Sequence, residues 1–153
     1  MKSQKQLANM LNTLKCLTIN KAKNKVATIY QEMVRWEYAA QHGGMLHCVT
    51  CERTAHVRDA QAFDAGHYIP GRRASVIFHP MNCAPQCKGC NQYGGGKRAE
   101  YKDYMIATYG EDDVEALEEL GRENHEFTHE QLLELKLEFM ERTKAAKRIV
   151  DAM

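Results

Sequence analysis

Within residues 21–41 the apolar positions Val26, Ile29, Tyr30, Met33 and Trp36 recur every three or four places with polar residues between them. That stripe predicts an amphipathic helix ending at Gly43 and Gly44, with one face packed on the segment that follows. The same period predicts helices over about 97–108, closed by Gly110, and about 113–120, closed by Gly121. A further helix is predicted from Thr128, which forms a capping-box pattern with Gln131; Leu132, Leu135, Phe139 and Met140 then share a face. Residues 45–96 break the pattern. They are rich in Gly, Cys, His and Asn, regular structure there is expected to be sparse, and only residues 75–79, SVIFH, read as a strand. The chain shows no internal repeat, low-complexity tract or Pro- or Ser-rich linker.

Composition narrows this picture. A chain of 153 residues, 44% hydrophobic and 27% charged, suits one globular domain with a modest core. No apolar run approaches the roughly 20 residues of a membrane span. The N-terminal sequence interrupts every apolar stretch with polar residues, unlike a secretion signal, so a cytoplasmic protein that makes no membrane contact is expected. The net charge of +1 is unevenly spread: seven Lys/Arg against two Asp/Glu in residues 1–45, eight against five in 46–104, and six against thirteen in 105–153. The basic front two-thirds suits a phosphate-bearing partner, and the acidic end reads as a solvated helix face.

Cys48/Cys51 and Cys87/Cys90 form two Cys-x-x-Cys pairs separated by 35 residues. Two such knuckles can turn four thiolates inward around one ion, the arrangement of structural zinc. The alternative is a disulfide framework or a redox pair, which the reducing cytosol disfavours. Cys16 and Cys83 have no partner at ligand spacing and are expected to be ordinary buried or half-buried thiols. Zinc would fix both ends of residues 52–86, which are too polar to organise themselves by burial, and would bring His67 and Asn82 back toward Asn91.

Those three residues suit metal-assisted phosphodiester cleavage. That chemistry needs a base near neutral pH, a cation on the phosphate and leaving oxygen, and a rigid frame. Neutral His67 can be the base. Asn91 offers an oxygen ligand to a hard cation such as Mg2+ or Mn2+. Asn82 can hydrogen-bond across the loop and hold the strand carrying His67. Taken singly, such His and Asn residues cap turns or meet solvent. Their order, His then Asn then Cys-x-x-Cys-Asn inside a zinc-pinned loop, is what points to a site. His42, His47, His56, His125 and His129 have no informative spacing, His79 reads as packing or strand edge, and Trp36 as core.

The stretches DAGHYIPGR, NCAPQCKGCNQYGGG and RAEYKDYM resemble the NinG (Rap) recombination proteins of lambdoid phages, a branch of the HNH or ββα-metal nucleases. The resemblance runs from about Trp36 through the C-terminal helix and is most specific over residues 63–104. It implies a metal-dependent endonuclease acting on branched recombination intermediates such as Holliday junctions and D-loops, and leaving a 3′-hydroxyl and a 5′-phosphate. Under it His67 matches the general base, Asn82 the central asparagine and Asn91 the metal-binding position. Cys48, Cys51, Cys87 and Cys90 match the zinc cysteines. Many HNH enzymes carry an Asp directly before the base, where this chain has Gly66. Asp64 is the nearest carboxylate, yet along an ideal strand it would face away from His67. Either a bulge at Gly66 brings Asp64 round to the catalytic metal, or Asn91, water and phosphate hold that metal.

Arg72, Arg73, Lys97 and Arg98 are expected to contact the DNA backbone. The triple glycine at 94–96 either leaves N–H groups free for a phosphate at a helix start or simply turns the chain. The expected fold is α+β: a small zinc-stabilised HNH core over 45–110, a helical arm over 1–44 and an acidic helical segment over 111–153, forming one compact unit. Paired nicks across a junction favour a homodimer. A recombination-protein partner is also expected. Two other readings stay open: a non-catalytic zinc module that binds DNA or a recombination partner, and an HNH nuclease that is site-specific or nonspecific.

Overall fold

The computed structural model describes residues 1–59 and 61–153. Its frame is a pair of long helices, α2 (Ile19–Gln41) and α5 (His129–Asp151). Thr18 caps the first, and Thr128 caps the second through a capping box with Gln131. Ala22, Val26 and Ala27 on α2 are fully buried, and Tyr30 and Met33 nearly so, because the apolar stripe packs against Leu132, Leu133 and Phe139 of α5. Full burial contributes about 1.5–3 kcal/mol for each large side chain. The ion pairs Arg142 to Glu37 and Lys147 to Glu32 lie at the rim, where exposed pairs contribute at most about 1 kcal/mol. They set the register of the two helices more than their stability.

A preceding helix, α1 (Gln4–Lys15), was not foreseen, although Ser3 and Gln6 form its capping box. It adds Leu14 to the same core. The helix α2 also meets two short antiparallel pairs. In the first, β1 (Met45–His47) pairs with β2 (Thr54–His56). In the second, β3 (Phe63–His67) pairs with β4 (Cys83–Cys87) in an unbroken register from Phe63↔Cys87 to His67↔Cys83. A π-helical turn, Gly89–Tyr93, follows β4 and leads to α3 (Arg98–Tyr109) and α4 (Glu111–Gly121). Tyr101, Met105, Val114 and Leu117 of these helices close a separate core over Tyr68 and Ala84. Among the described residues no helix is long and apolar enough to cross a membrane. The architecture is thus mixed α and β, with small antiparallel sheets.

Several expectations need correction. Residues 75–79 form a turn: Val76 and Ile77 donate to the Arg73 carbonyl, and the carbonyls of Val76, Ile77 and His79 accept from Asn82, His67 and Tyr30. These carbonyls face side chains, so no strand can pair there. His79 caps the next turn through Nδ1 and the Met81 N–H. Cys16 is exposed, because it follows α1 outside the single buried position of that helix, Leu14. Trp36 is half-buried, with the Arg58 guanidinium and the Lys147 ammonium over its ring. Met140 lies on the exposed side of α5.

Candidate metal and catalytic site

The sulfur atoms of Cys48, Cys51, Cys87 and Cys90 lie within 4.8 Å of one another. The first pair sits in the turn between β1 and β2, and the second runs from the end of β4 into the π-helical turn. Backbone amides aim at the sulfurs: Arg53 N–H at Cys51 Sγ (3.4 Å), Cys87 N–H at Cys48 Sγ (3.3 Å) and Cys90 N–H at Cys87 Sγ (3.4 Å). Such donors stabilise thiolates, and four soft sulfurs this close fit zinc. The cluster ties the two hairpins together and so fixes the end of β4 that pairs with β3.

Asn82 is fully buried and works as a strut. Its Oδ1 accepts from the Ile69 N–H (2.8 Å), and its Nδ2 donates to the Val76 carbonyl (3.2 Å). The amide therefore clamps both ends of the 69–76 loop just beyond β3. His67, half-buried at the end of β3, has Nε2 3.0 Å from the Ile77 carbonyl. A carbonyl only accepts, so Nε2 carries the proton and the lone pair of neutral His67 lies on Nδ1. Burial pushes the His67 pKa below the ordinary 6.5, against the Ile77 bond that raises it, and the charges of Arg72 and Arg98 lower it further. The imidazole is thus neutral at pH 7.

Asp64, on β3, packs against the π-helical turn. Its Oδ2 accepts from Asn91 Nδ2 (3.0 Å) and Gln92 Nε2 (2.8 Å), and Lys88 Nζ is 3.5 Å from Oδ1. Burial alone would raise the Asp64 pKa, but these donors and the Lys88 charge outweigh it and hold the carboxyl below its usual range. The π geometry is what turns Asn91 and Gln92 onto one carboxylate. No bulge is needed, because β3 keeps its register through Gly66. Gly66 is required for space: a Cβ there would come 2.1 Å from Gln86 Oε1 and 3.1 Å from Asn91 Oδ1. Asn91 Oδ1 therefore lies against the residue next to His67. An aspartate at 66 has no room, and Asp64 is the carboxylate beside Asn91.

Asp64, Ala65, Asn91 and Gln92 line a pocket of about 410 Å³ with Arg35 and Arg72. His67 is not among its lining residues. The hard oxygens of Asp64 and Asn91 fit a cation such as Mg2+ that keeps most of its waters. Arg73 and Arg98 line a different cavity, and the Arg98 guanidinium donates to the carbonyls of His67 and Tyr68. Lys97 is exposed in a left-handed conformation (φ 48°) before α3. The triple glycine does not leave all its donors free, since the Gly96 N–H bonds the Cys90 carbonyl and the Lys97 N–H the Gly94 carbonyl.

Gln92, Gln86, Gln31 and Arg35 were not singled out from sequence. Gln86 is fully buried and holds the Gly96 carbonyl (2.8 Å) and Thr50 Oγ1 (3.0 Å), and Gln31 holds the Ala65 carbonyl (2.8 Å). Only Gln92, adjacent to Asn91, carried a signal that sequence could have offered.

Over residues 3–149 the chain matches the family model described as Bacteriophage Lambda NinG protein. No curated protein and no solved structure matches it.

Proposed function

The chain belongs to the bacteriophage lambda NinG family, and from that premise we propose that it is an HNH-type, metal-dependent DNA endonuclease acting on branched recombination DNA, with His67 as general base. The observation that carries this reading is the tautomer of His67. Its proton is fixed on Nε2 by Ile77, its Nδ1 lone pair has no hydrogen-bond partner among the described residues, and Asn91 stands against the neighbouring Gly66. A base of lowered pKa is ready at neutral pH.

In this mechanism His67 Nδ1 takes a proton from water as the water oxygen attacks phosphorus. The P–O3′ bond breaks, leaving a 5′-phosphate and a 3′-hydroxyl whose proton comes from solvent. The Ile77 carbonyl steadies the imidazolium that forms. Asp64 and Asn91 would hold Mg2+ or Mn2+, which supplies charge neutralisation at the scissile phosphate and leaving oxygen when bound. Arg72 in the same pocket adds fixed positive charge. Zinc on the four cysteines is structural. Paired incision of a junction is best served by a homodimer.

One observation favours a second reading. His67 does not line the pocket of Asp64 and Asn91, and its ring centroid lies 6.4 Å from that of Tyr30. A zinc module that binds DNA or a recombination partner without cutting would need no more than this. Incubating the protein with linear and four-way-junction DNA in magnesium or manganese, beside His67→Ala, separates the two. Junction cleavage that falls about a hundredfold in the variant supports the nuclease. Cleavage of no DNA by wild type leaves the zinc module, and equal cleavage by both removes His67 as the base.

A further inference from the structure

Arg72 and Arg73 are sequence neighbours that serve different cavities. Arg72 has a positive φ of 49°, which a non-glycine residue adopts only at an energetic cost, and two contacts hold it there. Lys23 Nζ donates to its carbonyl (2.8 Å), and its own Nη1 reaches the Asn24 carbonyl (3.4 Å). The backbone turn sends Arg72 into the pocket of Asp64 and Asn91, while Arg73 lines a groove of about 720 Å³ beyond the end of β3. The two cavities share no lining residue, and His67 lies between them along the chain.

The groove is cationic. Arg73, Arg98, Lys102 and Arg122 face Asp103 and Glu118, and Glu118 is already engaged by the Tyr68 hydroxyl (2.6 Å) and Lys102 (3.3 Å). Arg98 bonds only neutral carbonyls, so its charge is not cancelled. Arg73 and Arg122 are exposed, and among the described residues neither side chain has a hydrogen-bond or ion-pair partner. Unpaired guanidinium groups spread along an open groove match a run of backbone phosphates.

We propose that this groove holds the phosphate backbone of a second arm of branched DNA while the arm to be cut lies over the Asp64–Asn91 pocket. The proposal rests on the nuclease reading and gives its substrate preference a physical basis: one duplex engages one cavity, and a junction engages both.

The test is the double variant Arg73→Ala/Arg122→Ala, which changes two exposed side chains. Binding to a four-way junction and to a linear duplex of one arm's sequence is measured by fluorescence anisotropy across a salt series, without divalent metal so that nothing is cut. Junction affinity is expected to fall about tenfold with a salt slope lower by about two, while duplex affinity changes less than about twofold. Parallel losses on both DNAs, or no loss on either, overturn the second-arm site and leave the nuclease reading intact. A wild type that binds neither DNA overturns both.

Discussion

Gly66→Ala is expected to destabilise the protein sharply, although the change adds one methyl group. Gly66 has no positive φ, so the effect is steric. The new Cβ would meet Gln86 Oε1 at 2.1 Å, far inside contact distance, and Gln86 is fully buried with Nε2 on Thr50 and Gly96. Forced repacking costs about 1–3 kcal/mol. Losing the two Gln86 bonds adds about 0.5–1.5 kcal/mol each. The sum, about 2–6 kcal/mol, lowers the melting temperature by roughly 4–24 °C for a chain of this size. Thermal unfolding followed by circular dichroism measures it. Gln86→Ala removes the clashing atoms, so the double variant should lose clearly less than the sum of the two single losses. A Gly66→Ala protein melting within about 2 °C of wild type, or strictly additive losses, would refute the steric account. It would also reopen position 66 to the aspartate that many HNH enzymes carry.

Four further outcomes are expected. Because burial and the Arg72 and Arg98 charges lower the His67 pKa, His67 stays a free base below pH 6.5, and the acid limb of a cleavage-rate profile should fall below that value; a limb above 6.5 would contradict it. The same shift makes the folded state favour neutral His67, so its contribution to stability is full above 6.5 and is lost as pH falls toward the folded pKa. Elemental analysis should find one zinc per chain, lost in Cys87→Ser and retained in Cys83→Ser, whose sulfur is outside the cluster; zinc-free wild type would refute the assignment. Asp64→Ala should lose cleavage and partly recover at higher Mg2+ or Mn2+, whereas His67→Ala should not recover; a variant as active as wild type at low metal would remove Asp64 from the site.

The long helices were legible because their signals are local. The stripe from Val26 to Met33 and the Thr128–Gln131 box specify α2 and α5 without reference to anything distant. The Ser3–Gln6 box was equally local but precedes a weakly apolar segment, and the helix it starts went unread. The four cysteines were legible from spacing alone. Residues 75–79 misled because the apolar run Val76, Ile77 and Phe78 reports burial, and here its side chains enter different cores: Val76 packs with Tyr101, and the partly buried Phe78 with Tyr30. The contacts of Asp64 were hidden because a π-helical turn shifts Asn91 and Gln92 from where an α-helical turn would put them. Gln86 carries no motif, and only the space above Gly66 reveals why it matters.

The docking of α5 along α2 has a consequence for synthesis. The apolar stripe of α2 is complete by Gln41, but the helix that covers it begins at His129, and the His129 ring closes the pair onto the Leu17 carbonyl (2.9 Å). At about 5–20 residues per second the ribosome takes roughly 5–20 s to make the intervening chain. During that interval Val26, Tyr30 and Met33 have no partner helix, while the cysteine clasp in the middle can already close. The nascent protein therefore passes through a state with an ordered centre and an uncovered N-terminal helix. Synthesis of α5, and not local helix formation, sets when its main core can form.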